Sequence, residues 1–251
     1  MLPLGDDDNP VPTFPVVNVV LILLNVLVFL YQLVSPDFTN GFSVVPREIT
    51  TGQDLIGQFQ LALPDGTTAI IDEARGPSPI WLTLFSAMFM HAGFAHIGGN
   101  MLFLFIFGDN VEKAFGHVRY LLFYLVSGIV AGVAQVWSDP NSVLPSLGAS
   151  GAIAGVLAAY LVLFPTNRVR VLLGYFLVRV PAVLVIGLWA VLQFMNGFGS
   201  ITTSTSSGGG VAYFAHIGGF IAGFIMALAL KPFAARGIAS PSVGFGPRRF
   251  G

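Results

Sequence analysis

Six apolar stretches of about the length that crosses a bilayer as a helix dominate this chain. About 20 apolar residues are needed for one crossing. The stretches lie near 15–34, within 79–110, and near 118–137, 148–165, 181–196 and 211–230. The second is too long for one span. Gly93 and the polar His91 divide it into an interfacial helix over about 79–91, carrying Trp81, and a span over 93–110. Residues 164–180 hold Arg168, Arg170 and Arg179 and read as a basic interfacial connection. Only 9% of the residues are charged, against about 25% in an ordinary soluble domain. The expected fold is therefore an all-α polytopic membrane protein, a bundle of six transmembrane helices.

Lysine and arginine set the orientation, because they concentrate on the cytoplasmic side. Lys113, Arg119, Arg168, Arg170, Arg179, Lys231, Arg236, Arg248 and Arg249 fall on the side that holds both termini, and Arg47 and Arg75 on the other. Both termini are thus expected to be cytoplasmic. The expected organisation is a cytoplasmic segment 1–14, a membrane domain 15–231 and a disordered cytoplasmic tail 232–251. The outer loop 35–78 is long enough to have structure of its own. The N-terminal residues Met1 to Asp8 lack a basic region, so a cleaved signal peptide is not expected. A net charge of −1 gives no reason to expect nucleic-acid binding. The absence of cysteine excludes disulfides, thiol catalysis and cysteine-ligated metal.

In this topology the second, fourth and sixth spans run from outside to inside. Ser150 starts the fourth. His96 and Asn100 lie near the start of the second. His216 lies about five residues into the sixth, roughly 8 Å deep at about 1.5 Å per residue. Four polar side chains thus share the outer half of the membrane, where a polar residue marks a functional site by default. A serine hydroxyl is a weak nucleophile until a base takes its proton, and imidazole titrates near neutral pH. With no acidic residue in an outer-half span position, a Ser150–His216 dyad is expected rather than a triad. Gly151, Ala154, Gly155, Ala158 and Ala159 form a small-residue surface on the fourth span, and Gly219 and Gly223 another on the sixth. Such surfaces let helices approach closely in lipid. They are also ordinary packing features.

Amide hydrolysis needs donors for an oxyanion. The Ser150 N–H, at a helix start, has no intrahelical partner. His96 and Asn100, spaced i, i+4, share a helix face. They are oxyanion candidates, or a polar pair tying two helices together. His91 is expected to be structural, and His117 interfacial. Asp109 and Glu112 are expected to be solvated, or to be loop-fixing partners of Lys113 or Arg119. The connection 196–210, uncharged and carrying five glycines, is expected to be a mobile cap over the site.

These residues resemble the rhomboid intramembrane serine proteases. Gly148-Ala149-Ser150-Gly151 is similar to the family's Gly-x-Ser-Gly nucleophile motif. Ala215-His216-Ile217-Gly218-Gly219, with Gly223, resembles the base-bearing sixth helix. His91, His96 and Asn100 resemble the His-x4-His-x3-Asn signature of the second. The Gly108–Glu112 segment, Gly116-His117-x-Arg119, and Pro15, Asn18 and Asn25 extend the likeness over about 15–231. The resemblance implies endoproteolysis of single-span membrane proteins in the lipid bilayer, with no metal and no cofactor. Ser150 is the implied nucleophile and His216 the base, with His96, Asn100 and the Ser150 N–H as the oxyanion site. Gly148, Gly151, Gly219, Gly223 and His91 are expected to support it. The bacterial plasma membrane is the expected location. A catalytically inactive relative that binds membrane clients is the alternative. Two family features are missing: Ala154 stands where some members stack an aromatic on the base, and the first outer loop has no Trp-Arg pair.

Overall fold

The computed structural model describes residues 2–6, 13–62, 68–203 and 212–235. Strand β1 (Leu2–Asp6) leads to helix α1 (Val16–Gln32), whose buried stripe is Asn18, Leu21, Asn25, Phe29 and Gln32. The three polar members recur every seven residues, so they face one way while Leu23, Leu27 and Leu30 face outward. Each polar side chain has a bond. Asn18 Nδ2 donates to the Leu104 carbonyl at 3.0 Å, and Asn25 Nδ2 to Leu21 at 2.7 Å. Gln32 Oε1 accepts the His91 N–H at 2.8 Å. This pattern suits a helix whose outer surface meets lipid and whose polar groups turn inward.

The loop that follows carries α2 (Pro36–Phe42), α3 (Pro46–Thr51) and an antiparallel hairpin of β2 (Gly57–Ala62) and β3 (Thr68–Glu73). The interfacial helix expected over 79–91 is broken. It consists of two 3-10 turns flanking a single α-turn, α4 (Thr83–Ser86). After a sharp bend at Gly93 come α5 (Phe94–Phe103), a π-helical turn (Leu104–Gly108) and α6 (Asp109–Phe115). Then follow α7 (His117–Ser138) and α8 (Ser150–Leu163). Strands β4 (Arg168–Leu173) and β5 (Phe176–Pro181) precede α9 (Ala182–Thr203) and α10 (Tyr213–Leu230).

The fold is mainly helical but not all-α. Two small sheets correct that expectation. In the larger, β1, β4 and β5 lie side by side, antiparallel throughout. The segment 164–180, expected as a basic interfacial connection, carries this β4–β5 hairpin. Its period-two pattern buries Val169 and Val171 and exposes Arg168 and Arg170, as a strand with one covered face requires. The two-residue turn Gly174–Tyr175 closes it, with Gly174 at φ +62°, the sign such tight hairpins need. Within the segment 1–14, residues 2–6 therefore have a fixed place. Asp6 is buried and accepts bonds from Asn110 Nδ2 at 2.7 Å and from the Tyr160 hydroxyl.

Helix α8 is the centre of the bundle, buried without a break from Gly151 to Tyr160 and packed against α7, α9 and α10. Two described helices, α7 and Tyr213–Phe233, are long and apolar enough to cross a membrane unaided. Two bent pairs also qualify if each is one span, and α8 and Ala182–Gly197 are shorter apolar helices.

One end of the bundle gathers β1, the α6–α7 junction, the β4–β5 hairpin and the end of α10. There the Ala235 N–H meets the Ala114 carbonyl at 2.8 Å, and Arg119 reaches the Phe233 carbonyl at 3.3 Å. Residues 231–235, expected in a disordered tail or at its edge, thus form a docked 3-10 turn and its exit. Residues 236–251 lie outside the described residues. Glu112 also departs from its expectation. It is buried, and its two carboxylate oxygens accept the Val17 and Asn18 N–H groups at 2.9 and 2.6 Å. A carboxylate there satisfies free donors at the start of α1 and complements the helix dipole. Asp109 pairs with Lys113 at 2.9 Å.

Candidate active site

The opposite end holds Ser150. The segment leading to it is stitched to the outer loop. Val44 and Ser146 exchange backbone bonds at 2.9 and 2.8 Å, the Arg47 N–H reaches Ser142, and the Gly148 N–H reaches the Ala87 carbonyl at 2.9 Å. Gly148 adopts φ +140°, which a side chain would strain. A Cβ there would lie 3.0 Å from His96 Nε2 and 3.5 Å from Ser150 Oγ. Glycine thus leaves open the space between these two side chains. Ser150 is the first residue of α8, so its N–H belongs to the unpaired first turn.

His216 lies in the first turns of α10. Its Nε2 is 2.7 Å from Ser150 Oγ. Backbone contact between α8 and α10 brings them together. A Cβ at Gly219 would strike the Gly151 carbonyl, and one at Gly223 the Gly155 backbone. Small residues at both positions permit that approach. From α7, Gln135 Oε1 accepts the Ala215 N–H at 3.3 Å and pins the start of α10.

Helix α9 supplies what Ala154 does not. Gln193 Oε1 lies 2.7 Å from His216 Nδ1. The Trp189 ring, one turn earlier, is tilted 39° to the imidazole with centroids 5.9 Å apart. Sequence reasoning missed Gln193 as a partner because it looked for an acid. The available signal was an amide in an apolar stretch, four residues after a tryptophan. The cap expected over 196–210 is partly helix. Residues 196–203 continue α9, so the fifth helix outruns its expected end. Residues 204–210 lie outside the described residues.

On α5, His96 packs on His91 with ring centroids 5.1 Å apart, edge to face. The Ala92 N–H points to His96 Nδ1 at 3.4 Å, a weak bond that assigns Nδ1 as acceptor and leaves Nε2 as the donor beside Gly148. Asn100 is buried one turn further along, and its Nδ2 has no hydrogen-bond partner among the described residues. A cavity of about 40 Å³ opens beside Ser150 between α7, α8 and α10, lined by Gly132, Gln135 and Gly151 among others. That is room for water, which needs about 10–15 Å³ by this measure. Among the described residues no group of three or more His, Asp or Glu side chains is placed to hold a metal ion.

A sequence model described as the Rhomboid domain matches residues 79–233, more than half the chain. The chain belongs to the rhomboid family, and is an integral membrane protein of that family. It is 35% identical to Rhomboid protease GluP of Bacillus subtilis over 150 residues, covering 60% of this chain and 26% of that protein. It is 27% identical to RHOMBOID-like protein 4 of Arabidopsis thaliana over 221 residues, covering 88% of this chain and 52% of that one. It is 33% identical to the Arabidopsis RHOMBOID-like protein 6, mitochondrial, over 153 residues, 59% of this chain and 43% of that protein. The chain thus spans from about a quarter to about half of these relatives.

Proposed function

We propose that this chain is a serine endopeptidase that cleaves transmembrane segments of single-span proteins within the bilayer. Ser150 is the nucleophile and His216 the base. The observation that carries the reading is the 2.7 Å approach of His216 Nε2 to Ser150 Oγ, between helices that meet backbone to backbone at Gly151 and Gly219.

In this reaction His216 Nε2 takes the Ser150 hydroxyl proton as Oγ attacks the scissile carbonyl. The Ser150 N–H, the Asn100 amide and His96 Nε2–H are the donors to the oxyanion that forms. Removing one such donor elsewhere typically costs about 10²–10³ in rate. His216 then gives its proton to the leaving amine. Water reaching the acyl-enzyme from the adjacent cavity completes the hydrolysis.

The bundle crosses the membrane six times, with both termini cytoplasmic. Supporting this, Lys113, Arg119, Arg168, Arg170, Arg179 and Lys231 all belong to the elements gathered at the end remote from Ser150, as the positive-inside bias predicts. Helix α8 has 14 residues, roughly 21 Å of rise, less than the roughly 30 Å of hydrocarbon. With its C-terminal end at the basic face, Ser150 lies several ångströms below the other face. The site is therefore reached by water from outside and by substrate sideways from lipid. The relatives named above come from a bacterium and a plant, so the family does not itself select the bacterial plasma membrane expected from the sequence.

The test is cleavage of a single-span test substrate in proteoliposomes by wild type and Ser150→Ala. Cleavage by wild type alone supports the reading. Equal cleavage by both contradicts the nucleophile. Binding of the substrate with cleavage by neither indicates a non-catalytic client-binding relative.

A further inference from the structure

We propose that Gln193 is a positioning residue that sets the tautomer and tilt of His216, a neutral amide in the place where soluble serine hydrolases use a carboxylate. The inference rests on the Ser150–His216 reading above and goes beyond it by assigning the third member of the relay. The two ring nitrogens of His216 have separate partners from separate helices: Ser150 Oγ of α8 at Nε2 and Gln193 Oε1 of α9 at Nδ1, each at 2.7 Å. An imidazole that is to accept the serine proton at Nε2 must carry its own proton at Nδ1. An amide oxygen facing Nδ1 accepts that proton and so selects this tautomer. The reversed amide would present N–H groups to Nδ1, move the ring proton to Nε2 and leave no base facing Ser150.

The amide also suits the surroundings. A carboxylate buried at this depth carries a large desolvation cost, whereas a glutamine needs only its hydrogen bonds satisfied. What it forgoes is the electrostatic support that an anion gives the imidazolium formed during reaction. Trp189, one turn before Gln193 on the same face of α9, bounds the ring at 5.9 Å and itself packs on Phe220 of α10. Helix α9 thus cradles the base through two side chains that carry no charge, and the titratable group that acts on His216 is His96 of α5. Any displacement of α9 from α10 withdraws the Nδ1 acceptor, which makes productive geometry dependent on α9 being docked.

The experiment uses the full chain in proteoliposomes. It compares wild type, Gln193→Leu, Gln193→Glu and Ser150→Ala, with kcat and KM for a single-span test substrate measured from pH 5 to 9. Fluorophosphonate labelling of Ser150 is followed in parallel. Gln193→Leu is expected to lower kcat and the labelling rate together, by roughly 10–100-fold, with KM within about twofold. The loss is smaller than the roughly 10⁴ seen where an orienting group imposes the wrong tautomer, because leucine leaves the ring free. Gln193→Glu is expected to restore most of kcat at alkaline pH. Its acid limb is expected to move to higher pH by about one unit or more, since a neighbouring carboxylate stabilises imidazolium. A side chain at position 193 that does not face Nδ1 would not move that limb. Wild-type kcat in Gln193→Leu, or an unshifted limb in Gln193→Glu, overturns the proposal. If the leucine variant does not fold, the glutamate profile alone decides. Cleavage by Ser150→Ala overturns the underlying dyad instead, so the two failures are distinguishable.

Discussion

Gly219 lies against Gly151 so closely that a Cβ on Gly219 would clash with the Gly151 carbonyl oxygen. Gly151 follows Ser150 directly, and Gly219 lies three residues after His216, so this backbone contact sets the separation of the proposed catalytic pair. Gly219→Leu is therefore expected to abolish cleavage and lower the melting temperature. Overpacking typically costs about 1–3 kcal/mol, and here it meets backbone, which cannot rotate aside. Gly98 of α5 has open space at its Cβ position. Gly98→Ala should keep activity and raise stability slightly, by about 0.4–1 kcal/mol through the unfolded chain. Thermal melts and cleavage rates of both variants check this. A fully active Gly219→Leu enzyme would show that the crossing does not position the pair.

Asn100 has a buried amide nitrogen with no described partner, the arrangement of a donor held for a group that arrives during reaction. Asn100→Ala is expected to lower kcat with little change in KM, because its bond matters most in the transition state. The loss should approach the roughly 10²-fold lower end for such donors, softened by the second donor at His96. Steady-state kinetics decide. An unchanged kcat would assign Asn100 to packing.

The outer loop carries a pH dependence of its own. Glu48 of α3 and Glu73 of β3 are both buried. Burial pushes Glu48 up to about 7 and Glu73 up to about 8, the latter helped by repulsion from Glu48, Asp72 and Asp54. A carboxyl whose folded pKa lies above its unfolded value near 4.5 binds its proton more tightly when folded. Its contribution is fully present below about pH 4.5 and is lost as pH rises through about 8. Hydrogen exchange of residues 46–62 and 68–76, corrected for the intrinsic effect of pH, should therefore speed up between pH 6 and 9. Glu73→Gln should flatten that dependence. Equal slopes for wild type and Glu73→Gln would contradict the burial argument.

Much of this architecture is legible in the sequence because lipid imposes a simple rule: long apolar runs, with polar residues inside them requiring a reason. Ser150, His216, His96 and Asn100 stand out for that reason, and the Gly151, Gly155, Gly219 and Gly223 pattern marks the helices that meet. What escapes depends on tertiary proximity. Glu112 looks like a solvated residue at a span end until the start of α1 arrives beside it. Residues 2–6 are too few to announce a strand whose partner lies beyond residue 167. The Arg168–Leu173 alternation is visible, but its arginines draw attention as charges rather than as the outer face of a strand. Gln193 belongs to no motif in the sequence, and only the geometry of α9 against α10 gives it a role.

The central claim is that Ser150 and His216 act as one unit. Its most direct test is the cleavage rate of a single-span test substrate in proteoliposomes by Ser150→Ala, His216→Ala and the double variant. Residues that share a catalytic step are grossly non-additive. The account predicts that each single variant loses essentially all activity and that the double variant is no worse than either. Substantial turnover in Ser150→Ala, or losses that multiply in the double variant, would contradict it.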